Sequence, residues 1–580
     1  MPVQDISFRI GGEAGQGVES SGAGFSLALT RAGLQVLGTP SYYERIRGGH
    51  NFFTIRTIKR REPVLSLAEQ VDVLIALNRE TIDLHKGCVR PGGLLIADEA
   101  LGAGEAVAGL DLRLLALPLA EIAEAHGNVV MANTAALAIA AAAVGLPLKY
   151  MLGVIETNFG ARSRAIAEAN TRVATYTYDL ATETFGLAFD APLGDCADAP
   201  PRLLLGGNTA FGMGAVMSGC KFVAGYPMTP STSLLEYMAS HADRWGIVVK
   251  HAEDEIAAVN MCVGASHAGV RTLTATSGGG FDLMVEGISL AAITESPLVI
   301  FLAQRPGPAT GLATRTAQAD LLMAIHSSHG EFPRMVIAPH TPEEHFRTAC
   351  RALNIADKYQ CLVLVLSDQQ SASSFASREK ALFDPASLEI ERGKWLSTED
   401  LEAQGGYLRY ALTDDGVSPR AIPGSHPNAV FLSSGNEHRE DGHITEDPAI
   451  VRAMAEKRLA KMRGLEGEVR PPLRHGPAQA DLTFVSWGSS YGPVLDAVNS
   501  LNASGRTANM VHFVDLWPFP KKAALEALGG ARRLVAVEGN ATAQLASLIR
   551  SQTGILIDET ILRYDGRGFT TEFILAGLEG

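Results

Sequence analysis

Four glycines, at 11, 12, 15 and 17, punctuate FRIGGEAGQGVESSG between a short apolar run, Ile6 to Ile10, and an apolar-periodic stretch. A glycine turn between a strand and a helix leaves backbone N–H groups and the positive end of a helix dipole facing outward, an arrangement that holds phosphate. The spacing is neither G-x-G-x-x-G nor a P-loop followed by lysine, so a tight turn that lets strand and helix pack closely is the alternative. Downstream, SYYERIRGGHNFFTIR sets Arg45, Arg47 and Arg56 around Gly48 and Gly49. Arginines fork onto phosphate oxygens, or else form a solvated basic turn. Together the loop and the arginines point to a phosphorylated ligand more strongly than either does alone.

A second group lies in mid-chain. In GYPMTPSTS, Pro227 and Pro230 fix the backbone, and the hydroxyls of Thr229, Ser231 and Thr232 either cap the next helix or offer donors to an anion. Glu253, Asp254 and Glu255 head a helix of small residues, Ala257, Ala258, Gly264 and Ala265. Acids in a first turn complement the helix dipole. The small residues also let a flat ring approach, and one carboxyl there would be withdrawn from water and suited to proton sharing. RPGPATGLATRTAQADL carries Arg305 and Arg315 in a loop after the apolar strand PLVIFLA; an arginine fork can hold a carboxylate in plane, or the side chains are surface residues. His438 and His443, near Glu437 and Asp441, read as metal ligands or as a polar connector.

The elements that position these groups are α/β units, strand then turn then helix. A first α/β segment spans 1–190, with strands expected at Ile6–Ile10, Val71–Leu77 and Gly93–Ala97 and a small-residue helix at Ala132–Val144. Residues 191–202 have little periodicity and read as a linker. A second segment, 203–385, has strands expected at Phe222–Gly225, Val270–Thr276, Leu298–Ala303 and Cys361–Leu366. Residues 386–475 turn polar, a connector ending in the helix-like EDPAIVRAMAEKRLAKMRG. The last segment, 476–580, has strands expected at Leu482–Trp487, Ala508–Val514 and Leu534–Glu538.

Composition bounds the function. The 580 residues carry 49 Lys+Arg against 63 Asp+Glu, a formal charge of −14 that argues against nucleic-acid binding. With 46% hydrophobic and 19% charged residues, the chain builds several cores. The longest weakly polar stretch, Ala135 to Leu148, is broken by Gly145 and Pro147 and falls short of the ~20 residues that span a bilayer. MPVQDISFRI lacks the features of a secretory signal, so a cytoplasmic location without membrane contact is expected. Six cysteines, none in C-x-x-C spacing, read as small buried hydrophobes.

Tyr226-Pro227-Met228-Thr229-Pro230 resembles the Y-P-I-T-P motif of the alpha subunits of 2-oxoacid:ferredoxin oxidoreductases, in the form with a gamma domain fused at the N-terminus; the Met-for-Ile change conserves volume. GGEAGQG and RGGHN resemble the gamma domain, HAEDEIAAVNMCVGASHAG and TSGGGFDLMVEGISLA the pyrimidine-type domain, and GNEHREDGHITEDP the connector of the 2-oxoglutarate branch. VSWGSSYGPVLDAV, HFVDLWPFP and VAVEGNATAQLASLI resemble the transketolase C-terminal domain.

The resemblance implies a thiamine diphosphate enzyme. Glu255 is similar to the glutamate that bonds the pyrimidine N1′ and favours the imino tautomer, whose nitrogen takes the C2 proton. Arg315 and Thr229 are similar to residues that hold the substrate carboxylate, with Tyr226 beside them. Gly12, Gly15, Gln16, Gly17 and Arg47 of the gamma domain would hold coenzyme A phosphates. The G-D-G motif of a magnesium site is missing, as are closely spaced cysteines. A beta subunit is therefore implied, supplying the magnesium and diphosphate grip and an iron–sulfur cluster, in a dimer of alpha–beta heterodimers. The implied reaction is coenzyme A-dependent oxidative decarboxylation of 2-oxoglutarate to succinyl-CoA, with electrons passing to ferredoxin, and reduced ferredoxin can drive it backwards. Pyruvate or another 2-oxoacid is the alternative substrate. A coenzyme A ligase or transferase, or a non-catalytic assembly subunit, are alternatives of another class.

Overall fold

The computed structural model describes residues 5–42 and 49–579. Arg45, Arg47 and Gly48 lie outside the described residues. The chain divides into two compact α/β units, Met1–Gly206 with Ser373–Leu382 and Thr570–Gly580, and Gly207–Ala372 with Phe383–Phe569.

In the first unit the described residues form an eight-stranded sheet. Asp5–Glu13, Val71–Ala76, Val89–Asp98 and Leu112–Leu117 run parallel to one another. Their near-continuous apolar runs suit strands covered on both faces. His50–Ile58, Gln35–Tyr42, Phe375–Glu379 and Arg202–Leu205 extend the sheet antiparallel. The strand Phe375–Glu379 is thus contributed after the second unit has begun. The helix Ala132–Val144 has the bounds its composition predicts, and it is buried from Ala135 to Val144, so its alanines serve close packing on all sides. The stretch 191–202 is tied down: Leu193 N–H donates to Val144 O and Cys196 N–H to Ala32 O.

The second unit holds two sheets among the described residues. One has seven strands, in the order Asp515–Trp517, Arg334–Ile337, Leu362–Asp368, Leu298–Gln304, Thr272–Thr276, Phe222–Gly225, Val248–His251, all parallel except the first. The other has five, with Leu482–Trp487 at its centre between Ala508–Phe513 and Leu534–Glu538. Open parallel sheets bind ligands beyond the carboxyl ends of their strands. Four consecutive connections leave that edge of the seven-stranded sheet: Tyr226–Pro230, Ala252–Asp254, the turn at Ser277 into the helix Gly278–Ile293, and Arg305–Asp320. They carry Tyr226, Thr229, Glu253, Asp254, Arg305 and Arg315, and Glu255 opens the helix that follows the second of them.

The polar connector is fastened by buried ion pairs. Its helix, Pro448–Glu468, is capped by the Asp447 side chain and buries Lys457 and Lys461. Both ammonium groups grip the fully buried Glu295, at 2.5 and 2.6 Å, and Arg409 donates to Glu295 O at 2.8 Å. Burial works to raise the Glu295 pKa, but Lys461, Lys457 and Arg409 overcome it and hold the carboxyl well below its usual range. No helix among the described residues is long and apolar enough to cross a membrane.

Candidate active site

The three acids before the helix Glu255–His267 separate by role. Asp254 caps the helix, its carboxylate accepting from Ala257 N–H at 2.7 Å, while Glu253 stays exposed. Glu255 turns inward and is 3% exposed, with Oε1 buried and lacking a hydrogen-bond partner. An orphaned buried carboxyl oxygen costs free energy unless something completes it.

Gly280, in the first turn of the helix Gly278–Ile293, makes room for this carboxyl. A Cβ there would lie 2.5 Å from Glu255 Oε1 and 2.2 Å from Thr276 Oγ1. The Ser277 hydroxyl at the same strand end is buried and unpartnered as well. Met228 brings the Tyr226–Pro230 loop alongside, its sulfur 4.0 Å from Thr276 Oγ1.

Arg305 joins two of the loops: Nη1 donates to Thr229 O at 2.7 Å. Burial lowers its pKa, partly offset by the carboxylates of Asp320 and Glu255, which places all three groups in one electrostatic cluster. Asp320 ends the loop. Its backbone N–H donates to Gln304 Oε1 at 3.0 Å, and its buried Oδ2 has no hydrogen-bond partner. Burial first, then Asp282, pushes its carboxyl up to about 7 against the pull of Arg305.

The far half of the loop is braced by the last segment of the chain. Gln318 donates from its backbone to Gly539 O and from Nε2 to Trp487 O, while its Oε1 accepts from Gly539 N–H and its carbonyl from Asn540 Nδ2. Thr316 N–H donates to Gly566 O. Arg315 is half-buried in this stretch, and a Cβ on Gly566 would come within 2.9 Å of its Cβ. Tyr226 is 40% exposed, its ring centroid 6.2 Å from that of His251.

The structure therefore brings Glu255, the Thr229 carbonyl and Arg305 together, with Arg315 in the same loop and Tyr226 at the exposed start of its own. Asp320 and Gly280 were not marked by sequence reasoning. A glycine triplet after a strand-ending serine was the available signal for Gly280; a lone aspartate at a loop end gave none. His438 is fully buried, 4.1 Å from the Tyr410 ring, with Nδ1 at 2.9 Å from Asn436 O. Glu437 is engaged by both Arg458 nitrogens, and no cluster of three or more His, Cys, Asp or Glu suited to a metal occurs among the described residues.

In the first unit, Gly15, Gln16 and Gly17 line a cavity of about 530 Å³. Its wall runs from polar Ser20, Ser21, Asn133 and Thr134 to apolar Phe25, Leu137, Met151 and Phe159. Gly15 and Gly17 have φ of 95° and 74°, and the helix Val18–Arg31 starts without a side-chain cap, leaving its first N–H groups to other acceptors. Gly12 serves packing: a Cβ there would meet Gln16 Oε1 at 2.8 Å. The Gln16 side chain locks the loop, accepting from Glu13 N–H and donating to Leu77 O. Arg56 is consumed by a two-pronged pair with Asp5 at 2.7 and 3.0 Å, so it does not reach for phosphate.

Residues 213–457 match the family described as pyruvate flavodoxin/ferredoxin oxidoreductase, thiamine diphosphate-binding, and residues 7–180 match pyruvate ferredoxin/flavodoxin oxidoreductase. The alpha subunit of 2-oxoacid:ferredoxin oxidoreductase 2 from Aeropyrum pernix is 33% identical over 97% of this chain and 95% of its own. The 2-oxoglutarate oxidoreductase subunit KorA of Mycobacterium tuberculosis is 30% identical over 100% of this chain and 92% of its own. The solved 2-oxoglutarate:ferredoxin oxidoreductase of Magnetococcus marinus, with 2-oxoglutarate, coenzyme A and succinyl-CoA bound, superposes with a TM-score of 0.90 at 30% identity, covering 99% of both chains.

Proposed function

Because the chain belongs to the alpha subunits of the 2-oxoacid:ferredoxin oxidoreductases, we propose that it is the fused gamma–alpha subunit of an enzyme oxidising 2-oxoglutarate to succinyl-CoA. The observation that carries the mechanism is Glu255: a buried carboxyl oxygen with no partner, beneath a helix whose glycine leaves room beside it. That environment fits the ring nitrogen of an aminopyrimidine, with which a desolvated carboxyl shares a proton. The chemistry that thiamine diphosphate supplies when bound is a carbon nucleophile for the keto group and a sink for the electron pair freed with carbon dioxide.

This chain's residues orient and move protons around that chemistry. Glu255 holds the proton at the ring nitrogen. Arg305 ties down the Thr229 loop, so that Thr229 and Arg315 clasp the carboxylate next to the keto carbon, with Tyr226 at the edge. In the first unit, the Gly15–Gly17 turn receives the coenzyme A phosphates, and the partly apolar cavity beside it suits the rest of the ligand. Arg47 belongs to the same proposal.

A beta subunit supplies magnesium, the diphosphate grip and an iron–sulfur cluster that passes electrons to ferredoxin. The missing G-D-G and the separated cysteines of this chain support that division, as do exposed Ile422, Val430, Leu432 and Ile444 on the connector. The preference for 2-oxoglutarate is supported by the relatives from Mycobacterium and Magnetococcus, both 2-oxoglutarate enzymes. The test is viologen reduction by the co-expressed alpha–beta complex with a panel of 2-oxoacids. Efficiency with 2-oxoglutarate should exceed that with pyruvate by about tenfold, the ~1.4 kcal/mol that one added contact to the distal carboxylate provides. Equal or higher efficiency with pyruvate overturns the substrate assignment.

A further inference from the structure

Asp320 has a fixed backbone and an unsatisfied side chain. Gln304, itself 1% exposed, accepts from its N–H and is anchored by donating to Ser367 O at 3.1 Å; the Asp320 carbonyl accepts from Ala324 N–H. The carboxyl is pressed against the start of the helix Gly278–Ile293, where a Cβ on Gly278 would lie 2.9 Å from Oδ2. Oδ2 is buried and unpartnered, and Ser277 at the helix N-cap position makes no side-chain cap bond. Among the described residues, none hydrogen-bonds this oxygen.

The charges facing Asp320 come from three elements: Arg305 from its own loop, Asp282 from the helix Gly278–Ile293, and Glu255 acting through Arg305. With both Asp320 and Glu255 ionised, one cation faces two carboxylates even before Asp282 is counted. A carboxylate surplus around Arg305 weakens the pull that Arg305 and Arg315 exert on an anion, because like charges brought together in a partly desolvated site penalise the charged form. A proton on Asp320 removes one carboxylate and leaves Arg305 balanced by Glu255 alone, so the incoming acid no longer meets a surplus of negative charge.

We propose that Asp320 takes up a proton when the 2-oxoacid carboxylate binds, so that its protonation sets the affinity of the site for its substrate. The inference rests on the site being a 2-oxoacid pocket. Asp320 is a positioning residue in this role: it acts through Arg305 and through charge, without touching the reacting atoms. The burial-driven rise of its carboxyl to about 7 puts the transition in the physiological range.

The test is the pH profile of the assembled complex with 2-oxoglutarate. In the wild type, KM should rise by up to tenfold per pH unit above about 7, as deprotonated Asp320 comes to oppose the anion. In Asp320→Asn, which keeps the shape and lacks the charge, KM should be flat across that range. A protonated-carboxyl C=O band should appear in the infrared difference spectrum when 2-oxoglutarate is added to the wild-type complex at pH 8. A flat wild-type profile, an unchanged slope in the variant, or absence of that band overturns the proposal. The wild-type arms stand even if the variant fails to assemble. A complex that neither binds nor oxidises any 2-oxoacid removes the functional assignment itself, whereas binding without the pH dependence removes only the role of Asp320.

Discussion

Gly280→Ala tests whether Glu255 is held where the chemistry needs it. The new methyl would lie 2.5 Å from Glu255 Oε1, and ordinary contact begins at 3.4 Å. The oxygen must then retreat by about 0.9 Å if the backbone holds, and a displacement near 1 Å costs roughly 10²-fold in rate. Overpacking of this kind costs about 1–3 kcal/mol, and replacing glycine inside a helix returns up to ~1, so the fold and the complex survive. Two rates report the effect in the alpha–beta complex: deuterium exchange at C2 of bound thiamine diphosphate, and 2-oxoacid-dependent viologen reduction. Both should fall together by about 30- to 100-fold, with KM for coenzyme A unmoved. Gly279→Ala is the control for backbone stiffening, since its methyl would meet only Ala309 O, at 3.8 Å. A Gly280→Ala complex that assembles and keeps C2 exchange within threefold of wild type would falsify the placement of Glu255.

Two further outcomes follow from other parts of the molecule. Lys457→Met leaves Glu295 with one ammonium partner in a fully buried site, and breaking such a pair costs about 3–5 kcal/mol; urea unfolding of the complex should show the loss, and a change below about 1 kcal/mol contradicts a structural role for the pair. Gly24→Leu puts a bulky side chain into the wall of the 530 Å³ cavity. It should raise KM for coenzyme A by at least about tenfold, as expected when a preformed pocket is filled, while KM for the 2-oxoacid stays put; equal KM values for coenzyme A would remove the cavity from its binding.

Much of this architecture is legible in the chain. The strands Phe222–Gly225, Leu482–Trp487 and Leu534–Glu538 and the helix Ala132–Val144 fall on the bounds their apolar runs predict. Glu255 was set apart from Glu253 and Asp254 only by resemblance; the structure puts it on the buried face of Ala258, Val259, Cys262, Val263 and Ser266, at helical spacing. Long-range partners were not readable. Lys457 and Lys461 look like a solvated face until Glu295, over 160 positions away, is known to meet them. Arg56 offers a phosphate fork until Asp5 takes it. A proton-holding role for Asp320 depends on how deeply a loop end is buried, which no local pattern encodes.

The bracing of the Arg305–Asp320 loop by Trp487, Gly539, Asn540 and Gly566 bears on how the protein is made. On the ribosome, the loop emerges more than two hundred residues before the last of the backbone groups that fix it. The first unit waits in the same way for the strand Phe375–Glu379 to complete its sheet. A nascent chain halted near residue 480 would therefore hold all of the proposed catalytic side chains and still lack the scaffold that sets their spacing, so competence waits until Gly566 has been made.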